Sequence, residues 1–132
     1  MFIRPLTKIA VITAVVLGYL GPNAVAHEAK HNDLAKRLSH LVEEYTVPHR
    51  VDDQTVLQSV TTDGKSLIFV YTFDSIEGLN PKHIELSAIN VLCLDDQLAT
   101  EIDDGATISV QYYDLDGTLF IATDVTRQTC GR

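Results

Sequence analysis

Basic residues are scarce in this 132-residue chain: 10 Lys and Arg stand against 18 Asp and Glu, a formal net charge of −8 with the histidines neutral. Nucleic acid phosphates and anionic lipids are held by clustered Lys and Arg, so this balance argues against both as partners. Cysteine is scarce as well. Cys93 and Cys130 stand alone, with neither the C-x-x-C spacing nor the local histidine that a thiolate nucleophile or a metal pair would need. No serine sits in a G-x-S-x-G elbow and no glycine-rich phosphate loop occurs, which removes two familiar enzyme signatures. Long apolar runs are absent except for one near the N-terminus.

That run belongs to a tripartite pattern over residues 1–26. Arg4 and Lys8 form a basic start, Ile9 to Leu20 is apolar, and a Gly21-Pro22 break precedes the small residues Ala24-Val25-Ala26. The run is short for a membrane span, which takes about 20 residues. It reads as a cleaved signal peptide, leaving residues 27–132 as a single domain in the periplasm or secreted, with no membrane anchor. Losing Arg4 and Lys8 takes the formal net charge from −8 to −10, a surface suited to a basic partner if it selects by charge. In an oxidising compartment an even cysteine count reads as one disulfide, Cys93 to Cys130. Closing that loop is worth about 4 kcal/mol by chain entropy.

Periodicity divides the exported part into helices and hairpins. Leu34, Leu38, Leu41, Val42 and Tyr45 recur every three or four residues, predicting an amphipathic helix from Glu28 to Tyr45 that ends before Val47-Pro48. Thr55 to Thr62 and Lys65 to Asp74 flank Asp63-Gly64 and predict a hairpin. In its second strand Leu67, Phe69, Tyr71 and Phe73 alternate with Ile68, Val70 and Thr72, the pattern of a central strand. Asn80-Pro81 opens a second helix to about Cys93 that should bury Ile84, Ala88, Val91 and Leu92. A third, from Asp95 to Ile102, is closed by Gly105, and a second hairpin turns at Leu115-Asp116-Gly117. The expected fold is α+β: a four-stranded antiparallel sheet of two hairpins, helices on one face, and one disulfide.

His27-Glu28-Ala29-Lys30-His31 matches the H-E-x-x-H pattern of zinc proteases. A zincin needs those histidines on a rigid buried helix with a third ligand elsewhere, whereas here they would begin the mature chain. Once exposed by cleavage, His27 could instead chelate copper through its amine and imidazole, with His31 as a further ligand. His40, His49 and His83 are too scattered to support such a site, and the chain's single methionine adds nothing to it. The acidic pairs Asp52-Asp53, Asp95-Asp96 and Asp103-Asp104, with Asp114 and Asp116, lack the third aspartate and later glutamate of a calcium loop, and suit caps and turns better. No catalytic residue and no cofactor is expected, and His27 and His31 stay as minor metal candidates.

The stretches PHRVDDQTVLQSV (48–60), FVYTF (69–73) and DGATISVQYYDLDGTLFIATDVTRQTC (104–130), with Cys93 near a helix end, resemble a family of small exported two-cysteine proteins described as quorum-sensing-regulated virulence factors of Gram-negative bacteria. That family is similar in fold to the beta-type pilotins of type II secretion, disulfide-linked α/β proteins that guide a secretin to the outer membrane. The resemblance implies the same Cys93–Cys130 disulfide and a fold, without a site. It also marks a departure, because pilotins usually carry a lipidated cysteine where this chain has His27. The expectation is therefore a soluble exported protein that acts by binding a protein partner as yet unknown. The alternatives are an unlipidated pilotin-like secretion accessory, or an inhibitor or immunity-type protein for a basic hydrolase, presenting the Phe73 to His83 connection.

Overall fold

The computed structural model describes the backbone from Pro22 to Arg132 and the side chains from Asp33 onward. The basic and apolar parts of the expected signal peptide lie outside the described residues, as do the side chains of His27 and His31. Leu34–Arg132 forms one compact unit.

Helix α1 (Pro22–Glu43) begins before the expected Glu28. Nothing between Pro22 and Glu28 breaks a helix, and proline is at home in a first turn. A short turn then leads into the sheet, whose strands are β1 (His49–Asp52), β2 (Thr55–Asp63), β3 (Ser66–Phe73), β4 (Thr107–Tyr113) and β5 (Leu119–Val125). They lie in the order β1-β2-β3-β4-β5. The expected hairpins are β2–β3 and β4–β5, both antiparallel. The expectation of four antiparallel strands is corrected twice. A fifth strand, β1, pairs with β2 at the edge; all four of its residues are exposed, so it carries no apolar alternation to betray it. And β3 pairs with β4 in parallel, Ser66 opposite Thr107 and Thr72 opposite Tyr113. Two helices fill the connection from Phe73 to Thr107, long enough to bring the chain back to the end at which β3 began.

Those helices are α2 (Pro81–Leu94) and α3 (Asp96–Asp103). Asn80 caps α2 by accepting from the backbone N–H groups of Lys82 and His83, with Pro81 at the first helical position. Asp95 caps α3 by accepting from the N–H of Leu98.

The core sits on one face of the sheet. Leu34, Leu38 and Leu41 of α1 and Leu98 and Ile102 of α3 are packed with Leu57, Val60, Leu67, Phe69, Ile108, Val110 and Val125. Apart from a register shift in β2 between Leu57 and Ser59, these alternate along each strand with the residues of the opposite face, where polar pairs such as Gln58–Thr72 and Ser109–Asp124 are hydrogen-bonded at 2.7 Å. β3 is third of five, the central place its two apolar faces imply. The Cys93–Cys130 disulfide is formed, Cα atoms 5.6 Å apart. Beside it Arg132 donates from Nε to Oδ1 of Asp103 at 2.7 Å, which ties the chain end to α3.

One helix departs from its expected burial. α2 has no buried residue, and Val91, expected inside, is 63% exposed.

Candidate functional site

α1 covers the sheet only as far as its own last turns reach. Tyr45, just beyond, meets Phe69 edge-on with ring centroids 5.2 Å apart. Past Phe69 the same sheet face continues as Tyr71 and Phe73 on β3 and Tyr112 on β4. Tyr112 stacks on Tyr71 at 4.9 Å and on Phe73 at 5.0 Å, the planes within 16° and 7° of parallel. Beside these rings the surface opens into a groove of about 550 Å³.

Its floor is Tyr71, Phe73, Val110 and Tyr112. One wall is the apolar stripe of α2, where Ile84, Ala88, Val91 and Leu92 follow the helical repeat. The four residues predicted to bury this helix line the groove, and of them Leu92 also packs against the core. The other wall is the turn from β1 to β2, Val51 to Thr55. Arg50 holds that turn in place: its guanidinium donates to the backbone carbonyl of Asp53 at 3.1 Å and to the carboxylate of Asp74 at 3.0 and 3.3 Å. Asp52 accepts from the N–H of Gln54 at 2.8 Å.

Burial sets the ionisation of the floor. It pushes the Tyr71 phenol up to about 12, with the neighbouring Tyr112 and Tyr45 adding to the effect. It raises Tyr112 too, helped by the charge of Asp52. Both phenols therefore remain neutral donors at ordinary pH. Asp52 moves the other way, held below its usual value chiefly by the Gln54 N–H, and stays ionised.

The residues singled out by sequence fall mostly elsewhere. Asp95 caps α3, and Asp114 accepts from the N–H groups of Asp116 and Thr118 within its turn. Asp103 and Asp104 pair with Arg132 and Arg37. His40 and His49 are exposed and apart from the groove, while His83 lines it. His83 and Ser87 are one turn apart on α2, yet no hydrogen bond joins them to each other or to Asp52 or Asp53 among the described residues. Nor do any three His, Cys, Asp or Glu side chains gather into a metal-holding group among those residues. The connection from Phe73 to His83, considered as an inhibitory loop, contributes Leu79 and His83 to the groove wall.

Sequence alone did not mark Tyr71, Tyr112, Val91 or Asp52 as a set. The aromatic alternation of β3 was visible, but an aromatic strand face and an apolar helix stripe read as two halves of one core. In the structure they meet along an open groove, over a floor in which Phe73 and Val110 are themselves buried.

The disulfide is the chemistry of an extracytoplasmic compartment, and among the described residues no helix is long and apolar enough to cross a membrane. No protein-family model and no curated protein matches the sequence. Solved structures do match its fold. A candidate secreted protein of Pseudomonas aeruginosa superposes with a TM-score of 0.68 at 16% identity, covering 76% of this chain and 96% of that one. EpsS, the pilotin of the Vibrio vulnificus type 2 secretion system, superposes with a TM-score of 0.64 at 16% identity over 78% and 93% of the two chains. AspS, the type II secretion pilotin of Vibrio cholerae, gives 0.64 at 19% identity over 83% and 100%. At such identities the likeness is one of architecture, and it is an architecture this chain shares with secretion pilotins nearly from end to end of theirs.

Proposed function

We propose that this chain is an exported protein-binding protein, an unlipidated secretion accessory of pilotin type, and that it acts by holding a segment of a partner protein and not by catalysis. The observation that carries this is the groove: an aromatic floor beside a helix with no fully buried residue, whose Val91 is 63% exposed. Exposed apolar surface of that kind is costly to keep in water unless something covers it. The fold likeness to two pilotins favours a secretion-channel protein, a secretin, as the partner. The finer reading, that the chain belongs with the exported two-cysteine virulence factors, rests on the resemblance of residues 48–60, 69–73 and 104–130 to that family, and the disulfide is in keeping with it. Residues 1–26 would be removed on export, leaving 27–132 as the working protein.

Site-specific photo-crosslinking tests the role. A benzoylphenylalanine at Val91 should capture an envelope protein in living cells, identified by mass spectrometry as a secretion-channel component. The same probe at Asp63, on the β2–β3 turn, should not. Capture from Asp63 alone, or from neither position, would overturn it.

A further inference from the structure

The groove has an uneven charge. Two carboxylates, Asp52 and Asp53, stand along one wall, and no Lys or Arg lines it anywhere. The nearest cation on that turn, Arg50, is already engaged. Its guanidinium bonds to the Asp74 carboxylate and to the backbone carbonyls of Asp52 and Asp53; its charge acts on the two side chains through space, but among the described residues no hydrogen bond joins it to either carboxylate. Neither carboxylate forms an ion pair within the described residues. Opposite them runs the apolar stripe of α2, and between lies the floor of Tyr71, Phe73 and Tyr112.

Resting on the protein-binding role above, we propose that the segment held in the groove is amphipathic, with a Lys or Arg beside its apolar face, and that Asp52 and Asp53 receive that cation. An occupant with apolar side chains alone would fill the floor but strip water from two carboxylates at its edge and bring them no cation in return, which is costly. A fatty acid or an acidic peptide would bring a second negative charge against them. A basic side chain offsets that cost, and at the rim of an apolar groove the pairing is stronger than on open surface because less water screens it. The whole chain adds to the selection, since a net charge of −8 draws basic segments toward it before contact. Arginine suits the place best: its planar guanidinium can lie along an aromatic ring and still fork to a carboxylate.

Two short helical peptides with the same leucine face, one flanked by arginines and the other by glutamates, serve as probes, with affinity read by fluorescence anisotropy at physiological salt on the exported protein. The arginine peptide should bind at least about tenfold more tightly. Asp52→Asn with Asp53→Asn should reduce that preference to about twofold, while Glu43→Gln with Asp63→Asn, the same charge change away from the groove, should leave it intact. Ala88→Gln with Val91→Gln should weaken both peptides. If the wild-type protein binds the two peptides equally, or the distant pair of substitutions removes the preference as fully as the groove pair, the cation assignment falls. Continued weakening by Ala88→Gln with Val91→Gln would then show that the groove itself still binds protein segments. If those two substitutions change nothing, or neither peptide binds, the groove role falls and this assignment with it. Laurate binding more tightly than the arginine peptide would assign the groove to an anionic lipid and overturn the cation assignment as well.

Discussion

Arg37 on α1 and Glu101 on α3 are clamped together, Nη2 to Oε1 at 2.8 Å and Nε to Oε1 at 2.9 Å, with the glutamate side chain only 8% exposed. The same guanidinium reaches Oδ2 of Asp104 at 2.6 Å, so one arginine joins the helix that starts the core to the helix that precedes β4. Removing it leaves a nearly buried carboxylate without its cation. For a fully buried pair that costs about 3–5 kcal/mol. Because the arginine side chain is 34% exposed, water will take up part of the loss, and Arg37→Ala is expected to cost about 2 kcal/mol. Urea denaturation with the disulfide intact measures it. Arg37→Leu with Glu101→Leu should recover most of the stability, since apolar replacement removes both desolvated charges. A double variant no more stable than Arg37→Ala would show that the pair contributes more than its desolvation costs.

Core and groove should separate cleanly in a mutant series. Leu38 is fully buried against the sheet, and Leu38→Ala is expected to cost about 3–4 kcal/mol through lost burial and the cavity left behind. Val91, at 63% exposed, has little to lose: Val91→Ala should change stability by less than about 0.5 kcal/mol. In the peptide-binding assay the order should reverse for variants that remain folded, with Val91→Ala weakening binding and a surface change such as Glu43→Gln leaving it alone. A destabilisation by Val91→Ala comparable to that of Leu38→Ala would mean α2 is a core helix after all.

Much of the local structure was legible because it rests on local chemistry. Asn80-Pro81 opens a helix, Asp63-Gly64 turns a hairpin, and the Leu34, Leu38, Leu41 stripe demands a cover, all from propensity and spacing. What escaped was set by tertiary placement. β1 is an exposed edge strand held by hydrogen bonds and by Arg50, not by apolar side chains, so His49 to Asp52 shows no alternation. Parallel pairing of β3 with β4 depends on how far α2 and α3 carry the chain before Thr107. The groove was hidden for a related reason. Ile84, Ala88, Val91 and Leu92 have the spacing of a buried face, and in the fold that face lines the groove, with Leu92 also reaching the core.

α2 has no buried side chain, yet its last turn is fastened by Cys93 to Cys130. Replacing both cysteines by serine should lower stability by about 4 kcal/mol, or less where the unfolded chain retains structure. The loss should be uneven. Amide exchange measured by mass spectrometry on the folded fraction should quicken most in Ile89 to Leu94 and around Thr126 to Arg132, and least in β3, whose amides pair on both sides. Binding of the arginine peptide should weaken in parallel, because the groove loses its second wall. Uniform acceleration across the domain would show instead that the disulfide acts on the fold as a whole and not chiefly on α2.

Alkaline pH tests the floor of the groove directly. Folding raises the Tyr71 phenol from its ordinary 10.0 to about 12, chiefly by burial. A group whose affinity for its proton rises on folding lends its full stabilisation below the unfolded value and loses it as pH climbs through the folded one. Stability should therefore hold to about pH 10 and decline between pH 10 and 12, as unfolded chains ionise at Tyr71 and folded chains do not; two pH units correspond to a loss on the order of 2 kcal/mol at the top of that range. Tyr112, raised by burial and by Asp52, adds to the same decline. Denaturation curves collected from pH 8 to pH 12 should thus fall more steeply for the wild-type protein than for Tyr71→Phe, which has no phenol to titrate. Absorbance at 295 nm should show Tyr71 ionising late, by difference from that variant. If Tyr71→Phe and wild type lose stability in parallel, Tyr71 meets water freely, and the floor is wetter than its stacking between Phe69 and Tyr112 implies.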